Sequence, residues 1–220
     1  MVKKGAKKKK EIIIVFGAHT DDFVIGAGGT IAKYIEEGHN IINVIFSYGE
    51  LSHFWLKENV IKKVRGKETE AASKLMGGKI VFLGLADQKI YEDYQKKDVE
   101  KKLLGLIESS KPTKIFTHSI EDPHPDHKAV YKITMDLYEK SKFKPEVYVY
   151  SVWNPVSFKT DWPTLYINIT KYFSLKLKTL KLFKSQKVQV AYPLFLLIFN
   201  NLKNGFKIRT LFAEKFFRIK

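Results

Sequence analysis

The chain has 220 residues, no cysteine and a formal net charge of +16. That length suits one medium domain with a substantial core. The missing cysteines exclude disulfides, thiolate zinc sites and cysteine nucleophiles, leaving histidine and carboxylates as the strong metal ligands. The basicity belongs to the two ends: residues 1–10 carry six lysines and no acid, and residues 171–220 carry twelve Lys and Arg against Glu214 alone. The stretch between them is close to neutral.

Residues 1–10 read as a disordered basic arm, because Glu11 intervenes before an apolar run of only strand length and no signal peptide follows. Residues 12–16 then predict a first strand. Residues 26–37 predict a helix, with Ile31, Tyr34 and Ile35 at helical spacing and Gly38 as its stop. A second strand is expected over 41–46, a charged amphipathic helix over 58–75, and a third strand over 80–83. Residues 98–109 predict a helix with Val99, Leu103, Leu106 and Ile107 on one face, before Pro112 and a fourth strand over 114–117. A helix over 127–140 and a β-branched, aromatic strand over 146–152 follow. Beyond Trp153 the pattern loosens around Pro155 and Pro163, then gives a basic helix over about 169–188. Residues 189–220 read as strand or helix.

This alternation predicts an α/β fold, a Rossmann-like, mostly parallel sheet flanked by helices. The expected division is a basic arm over 1–10, a main domain over 11–190 and an extension over 191–220 packed on the same domain. The apolar run over 191–199 is far shorter than the ~20 residues that span a bilayer, so a soluble, cytoplasmic protein is expected. Its basic tail is able to touch an anionic surface.

Ligands of open α/β sheets bind beyond the carboxyl ends of the strands. Two such ends are chemically unusual here. The first strand empties into His19-Thr20-Asp21-Asp22, and the fourth into Asp122-Pro123-His124-Pro125-Asp126-His127. The first loop is followed by Gly26, Gly28 and Gly29, but has neither Gly-x-Gly-x-x-Gly nor Gly-Lys-Ser/Thr, and its acids repel phosphate. The glycines read instead as close packing of a helix start against the sheet.

A metal explains the acids better. A catalytic zinc site takes three protein ligands and keeps one position open for water. His19 and Asp22, three residues apart, can bind from one turn, and His127 can close the triad from the neighbouring strand. Asp21 is then a carboxylate able to take a proton from activated water, and His124 with Asp126 an imidazolium pair able to stabilise an oxyanion. The bland reading of the second loop is that Asp122 or Asp126 caps the helix near His127.

With these residues in place, the chain resembles the LmbE-like (PIG-L) family of metal-dependent N-deacetylases, whose motifs run A-H-P-D-D-E and H-P-D-H. Here they read Ala18-His19-Thr20-Asp21-Asp22-Phe23 and His124-Pro125-Asp126-His127. Fainter agreement appears at Ser47-Tyr48-Gly49-Glu50, Arg65-x-x-Glu68, Asp87, Ser185-Gln186 and Ala213-Glu214-Lys215-Phe216, so it extends over about residues 11–217. The resemblance implies His19, Asp22 and His127 as metal ligands and Asp21 as general base. It implies His124 as the group that stabilises the tetrahedral intermediate, with Asp126 its partner, and places Arg65 and Asp87 where a sugar would meet them. Thr20 and Phe23 depart from the family's proline and glutamate.

The expected activity is removal of the acetyl group from an N-acetylglucosamine-type sugar or conjugate, with Zn2+ or Fe2+ as cofactor. A second reading makes the substrate a glycolipid or lipid-linked sugar at an anionic membrane surface. A third, non-enzymatic, is nucleic-acid binding by the basic termini; lysine runs more often solubilise than specify, so no specific nucleic acid is expected. A homo-oligomer is compatible with all three. His53, Phe54 and Trp55 after the second strand are aromatic groups able to stack on a sugar face.

Overall fold

The run Ile12–Gly17 forms β1, and its side chains alternate between two apolar cores. Ile13 and Val15 point into one, Ile14 and Phe16 into the other, so the strand is buried on both faces. A continuous apolar strand of this kind is what a parallel sheet covered by helices on both sides requires. The computed structural model describes residues 10–52, 57–96, 98–154, 162–186 and 194–220.

Beyond β1 the chain runs through α1 (Asp22–Glu36), β2 (Asn40–Ser47), α2 (Glu58–Met76) and β3 (Lys79–Leu85). It continues through α3 (Ile90–Lys96), α4 (Val99–Ser110), β4 (Lys114–His118), α5 (Pro125–Lys140) and β5 (Glu146–Tyr150). β6 (Thr164–Asn168), α6 (Phe173–Leu180), α7 (Leu194–Lys207) and β7 (Ala213–Arg218) complete it. Among the described residues, seven strands form one sheet in the order β3-β2-β1-β4-β5-β7-β6. The first five are mutually parallel; β7 is antiparallel to both β5 and β6. This is the α/β architecture expected from the alternation of strands and helices.

Helices α1, α2, α6 and α7 cover one face, contributing Phe23, Ile31, Met76, Phe173, Leu180 and Leu197 to its core. Helices α3, α4 and α5 cover the other with Ile90, Leu103, Ile107, Val130 and Ile133. The strand order reverses between β1 and β4, so the crevice for a ligand opens at their carboxyl ends.

Several elements differ in extent from the sequence expectation. α1 begins at Asp22 rather than at residue 26, which puts the three glycines inside the helix. There they act as the sequence suggested, as points of close packing. A Cβ on Gly26 would lie 2.2 Å from the Tyr150 ring, and one on Gly29 2.7 Å from Ile169. Tyr150 is not free to yield, because its hydroxyl donates to the Phe16 carbonyl at 2.5 Å. Gly26→Ala should therefore lower unfolding free energy by about 1–3 kcal/mol, despite alanine's better helix propensity. Urea unfolding monitored by circular dichroism measures it, and a variant as stable as the parent would contradict the packing described.

α5 starts at Pro125, earlier than residue 127, and its cap is neither Asp122 nor Asp126. The ring of His124 accepts the Asp126 N–H at 3.2 Å, with proline in the first turn. β5 stops at Tyr150 because the N–H groups of Val152 and Trp153 turn to Asp122 Oδ2, at 3.2 and 3.0 Å. The expected helix over 169–188 contracts to α6 between two 3-10 turns, Thr170–Tyr172 and Lys184–Gln186. Tight bonds from Leu182 to Thr179 and from Phe183 to Leu180 end it and turn Phe183 into the core. Residues 1–9 of the basic arm, the aromatic group at 53–55 and Pro155 lie outside the described residues.

Candidate active site

Parallel pairing of β1 with β4, in the register Ile13↔Lys114 to Val15↔Phe116, brings their carboxyl ends side by side. His19, Asp21 and Asp22 leave the first end; His118, Asp122, His124, Asp126 and His127 leave the second. The loop after β2 closes one side, with Ser47 N–H donating to the Ala18 carbonyl at 2.8 Å. Asp87, just after β3, closes it further.

At the centre, Asp22 Oδ2 lies 3.5 Å from His19 Nδ1 and 3.5 Å from His127 Nε2. Tetrahedral ligation with bonds of about 2.1 Å separates ligand atoms by about 3.4 Å, close to both of these distances, and the three donor atoms lie within 4.8 Å of one another. The chemistry of the donors agrees: two imidazole nitrogens and a carboxylate, with no thiolate. His127 Nε2 is buried and has only the Asp22 carboxylate, at 3.5 Å, beside it in this set. His19, Asp22 and His127 thus form a set able to hold a metal.

Each imidazole is also gripped from behind. His19 Nε2 is 3.2 Å from Asp126 Oδ2 and 3.3 Å from Asp87 Oδ1. His127 Nδ1 is 2.9 Å from Asp122 Oδ1. Carboxylates on the far nitrogen fix ring orientation and tautomer and raise ligand basicity. Asp122 is itself anchored by three backbone N–H groups, those of His124, Val152 and Trp153. Two further overlapping groups, His19/His124/Asp126 and His118/Asp122/His127, also bring donor atoms within 4.8 Å of one another.

These contacts set the charge states. Burial pulls His127 down, but the Asp22 charge and Asp122 outweigh it and push the ring up to about 9. Burial likewise opposes protonation of His19, and its bonds to Asp126, Asp22 and Asp87 drive it well above the usual histidine range. Asp22 is held well below the carboxylate range, burial being overcome by His127 and His118. Its neighbour Asp21 goes the other way: burial and then the Asp22 charge push it up to about 6, against the pull of Arg65. Two adjacent carboxyls therefore have opposite proton affinities, the usual sign of divided acid–base roles.

The structure places Asp126 differently from the sequence expectation. Its Oδ2 accepts the Gln88 N–H at 2.8 Å and meets His19, whereas the hydrogen bond it makes to the His124 ring is through its main chain. His124 is lowered, by burial and then by the charges of His19 and His127, with Asp126 opposing. Arg65 is only 1 % exposed; it donates to the Tyr48 carbonyl and, at 2.9 Å, to Ser52 Oγ, bracing the loop after β2. A Cβ on Gly49, at φ +66°, would collide with that guanidinium. Asp87 is held below the usual range, its burial offset by His19 and by the Leu51 N–H at 3.0 Å.

His118, the last residue of β4, is a further residue of this cluster that the sequence motifs do not single out. It accepts the Ala18 N–H at 2.9 Å, lies 3.3 Å from Asp22 Oδ2 and stacks on His127 with ring centres 4.0 Å apart. Burial, then His127, pushes it down to about 4, so it is a neutral wall behind the ligands. Its place as the last residue of β4 was the available signal. Glu68 and Ser185 are also joined: the Ser185 N–H donates to the Glu68 carboxylate at 2.9 Å, and its hydroxyl donates to the same group. Phe23, where the motif expects glutamate, is fully buried and meets Phe183 edge-on at 6.5 Å.

A doubly wound sheet carries a buried histidine–carboxylate set at its switch point, and the class to which such a chain belongs here is that of metal-dependent N-deacetylases. The chain belongs to the GlcNAc-PI de-N-acetylase (PIG-L) family, whose model it matches over residues 14–138. It is 26 % identical over 194 residues to a 4-oxalmesaconate hydratase of Pseudomonas putida, covering 79 % of this chain and 73 % of that one. It is 31 % identical over 146 residues to a mycothiol S-conjugate amidase of Streptomyces coelicolor, covering 56 % of this chain and 50 % of that one. In fold it is similar to the N,N'-diacetylchitobiose deacetylase of Pyrococcus horikoshii, with a TM-score of 0.80 and 24 % identity over 98 % of this chain and 86 % of that one. Among the described residues no helix is long and apolar enough to cross a membrane.

Proposed function

We propose that the chain is a zinc-dependent hydrolase that removes the acetyl group from an N-acetylglucosamine-type sugar or sugar conjugate. The observation that carries this reading is the convergence of the buried His19, Asp22 and His127 donor atoms, next to a carboxyl pushed up to about 6. His19, Asp22 and His127 would hold the cation. Two imidazole nitrogens, one carboxylate oxygen and an open position suit zinc, and the same donor set also takes ferrous iron. When bound, the ion supplies Lewis acidity, polarising the acetyl carbonyl and making water acidic near neutral pH.

The chain's own groups do the rest. Asp21 takes the proton of the attacking water as the C–O bond forms, a task suited to a proton affinity near neutrality. His124, half-buried at the rim, donates to the developing oxyanion. Asp21 then delivers its proton to the departing nitrogen as the C–N bond breaks, releasing acetate and the free amine. Asp126 and Asp87 hold the His19 ring, and Asp87 also ties down the Leu51 N–H of the loop after β2. Arg65 serves the substrate through the loop it braces and tempers the Asp21 carboxyl by its charge.

Acetate release is the test, from a panel of N-acetylglucosamine, its disaccharide, and inositol-linked and lipid-linked forms. At least one member should yield acetate, a chelator should abolish the activity, and zinc should restore it. Acetate separates this reaction from the hydration named for the Pseudomonas relative. Metal-loaded protein that releases none from any member would count decisively against the proposal.

A further inference from the structure

Helix α7 presents an unusual outer face. Phe195, Phe199, Leu202 and Phe206 fall within about 60° of one another on a helix of 3.6 residues per turn. They are 68, 60, 37 and 86 % exposed, and Leu211, just beyond the helix, is 57 % exposed. The opposite face, Leu197, Asn201 and Gly205, is buried against the sheet. Single exposed apolar residues are ordinary, but three phenylalanines and a leucine in one stripe mark a surface that something covers.

The surroundings say what. Lys203 and Lys207 border the stripe on one side, Arg209 follows the helix in sequence, and residues 187–213 contain no acid at all. Beside the helix lies a cavity of about 190 Å³ lined by Lys203, Lys207, Lys215, Asn200 and Asn204. The carboxylate in its wall, Glu214, is already committed to Lys176 and to the N–H groups of Gly29 and Thr30. Lys215 is lowered, by burial and then by Lys207 and Lys203, a crowding of like charge that an anion relieves. A second copy of the chain brought onto this face would set lysines against lysines. An anionic partner with an apolar interior fits both features.

We propose that α7 is an interfacial helix that lies in the surface of an anionic bilayer, its phenylalanine stripe among the acyl chains and its lysines among the headgroup phosphates. At 14 residues it is too short to span a bilayer and of a size to lie in its plane. The helix docks on β7, which adjoins β5, the strand leading to Trp153 and the Asp122 anchor of the site. Docking would therefore hold one flank of the crevice against the membrane.

Co-sedimentation of the full chain with vesicles tests this. The protein should pellet with phosphatidylglycerol-containing vesicles, weakly with pure phosphatidylcholine, and less as salt rises. The double variant F199S/F206S, which leaves every charge in place, should weaken binding about tenfold or more with unchanged thermal unfolding. Separately, Phe206→Trp should add fluorescence that brominated acyl chains quench. Three results would overturn the proposal: no binding to anionic vesicles, binding that the double variant does not change, or a stable oligomer in solution that the double variant dissociates. None of these readouts uses turnover, so they stand or fall apart from the deacetylase reading.

Discussion

Asp21→Asn should slow acetate release roughly 10²–10⁴-fold while leaving metal content unchanged. The substitution keeps shape and removes only the ability to hold and return a proton. Asp21 offers no ligand atom to any of the three histidine–carboxylate groups, whereas Asp22 belongs to the central one. Nor should the fold suffer. The contribution of Asp21 to the first turn of α1 is its carbonyl, which accepts from Val24 and Ile25 at 3.0 Å each. Loss of a buried carboxyl beside Asp22 also removes a repulsion. Steady-state turnover with metal measured by plasma emission on the same sample decides the matter. Full activity in the variant would rule out Asp21 as the base.

Glu214→Ala should cost about 3–5 kcal/mol of stability. Glu214 and Lys176 are 3 and 1 % exposed and meet at 2.6 Å. The carboxylate accepts the N–H groups of Gly29 and Thr30 at 2.9 and 2.8 Å, while Lys176 donates to the Ile25 carbonyl at 2.8 Å. The ion pair is thus inserted into the backbone ladder of α1, between one and two turns beyond Asp22. Truncating one partner leaves a buried ammonium and two buried donors without their acceptor. Denaturant unfolding should show the loss, and Glu214→Gln, which keeps an acceptor, should lose less. A change below about 1 kcal/mol would mean the pair does not hold α1 as described.

What could be read from the chain alone was mostly what depends on near neighbours. The spacing of His19 and Asp22 is local, and the pattern of β1 and β4 was strong enough to put His127 beside them. Residues joined across the sheet were harder. Asp126 reads as the partner of its neighbour His124, yet its carboxylate bonds His19, 107 residues away. Asp122 reads as a cap, but its carboxylate meets the His127 ring, because the turn from Ser119 to Asp122 brings it there. His118 is linked to Ala18 across 100 residues by the register of β1 and β4. β6 went unread because it is five residues long and its pairing partner is β7, far along the chain. α3 is short and carries only Ile90 and Tyr94 as buried residues. Phe23 was a puzzle in sequence and is plain in space: with Phe183 turned inward by the end of α6, an unpaired carboxylate at this position would be buried among apolar groups.

The position of β7 between β5 and β6 bears on how the chain must be assembled as it is made. β1 to β5 come off the ribosome in an order that lets each join a neighbour already present, and four parallel pairings are complete by Tyr150. β6 emerges next with no strand to pair with, since its neighbour begins only at Ala213. Glu214, the acid that enters the ladder of α1, arrives on that same strand. A nascent chain halted before residue 213 therefore has β5 as an open sheet edge, β6 adrift and the helix that carries Asp22 without its clamp. Completion of the site helix is timed to the last strand rather than to the first.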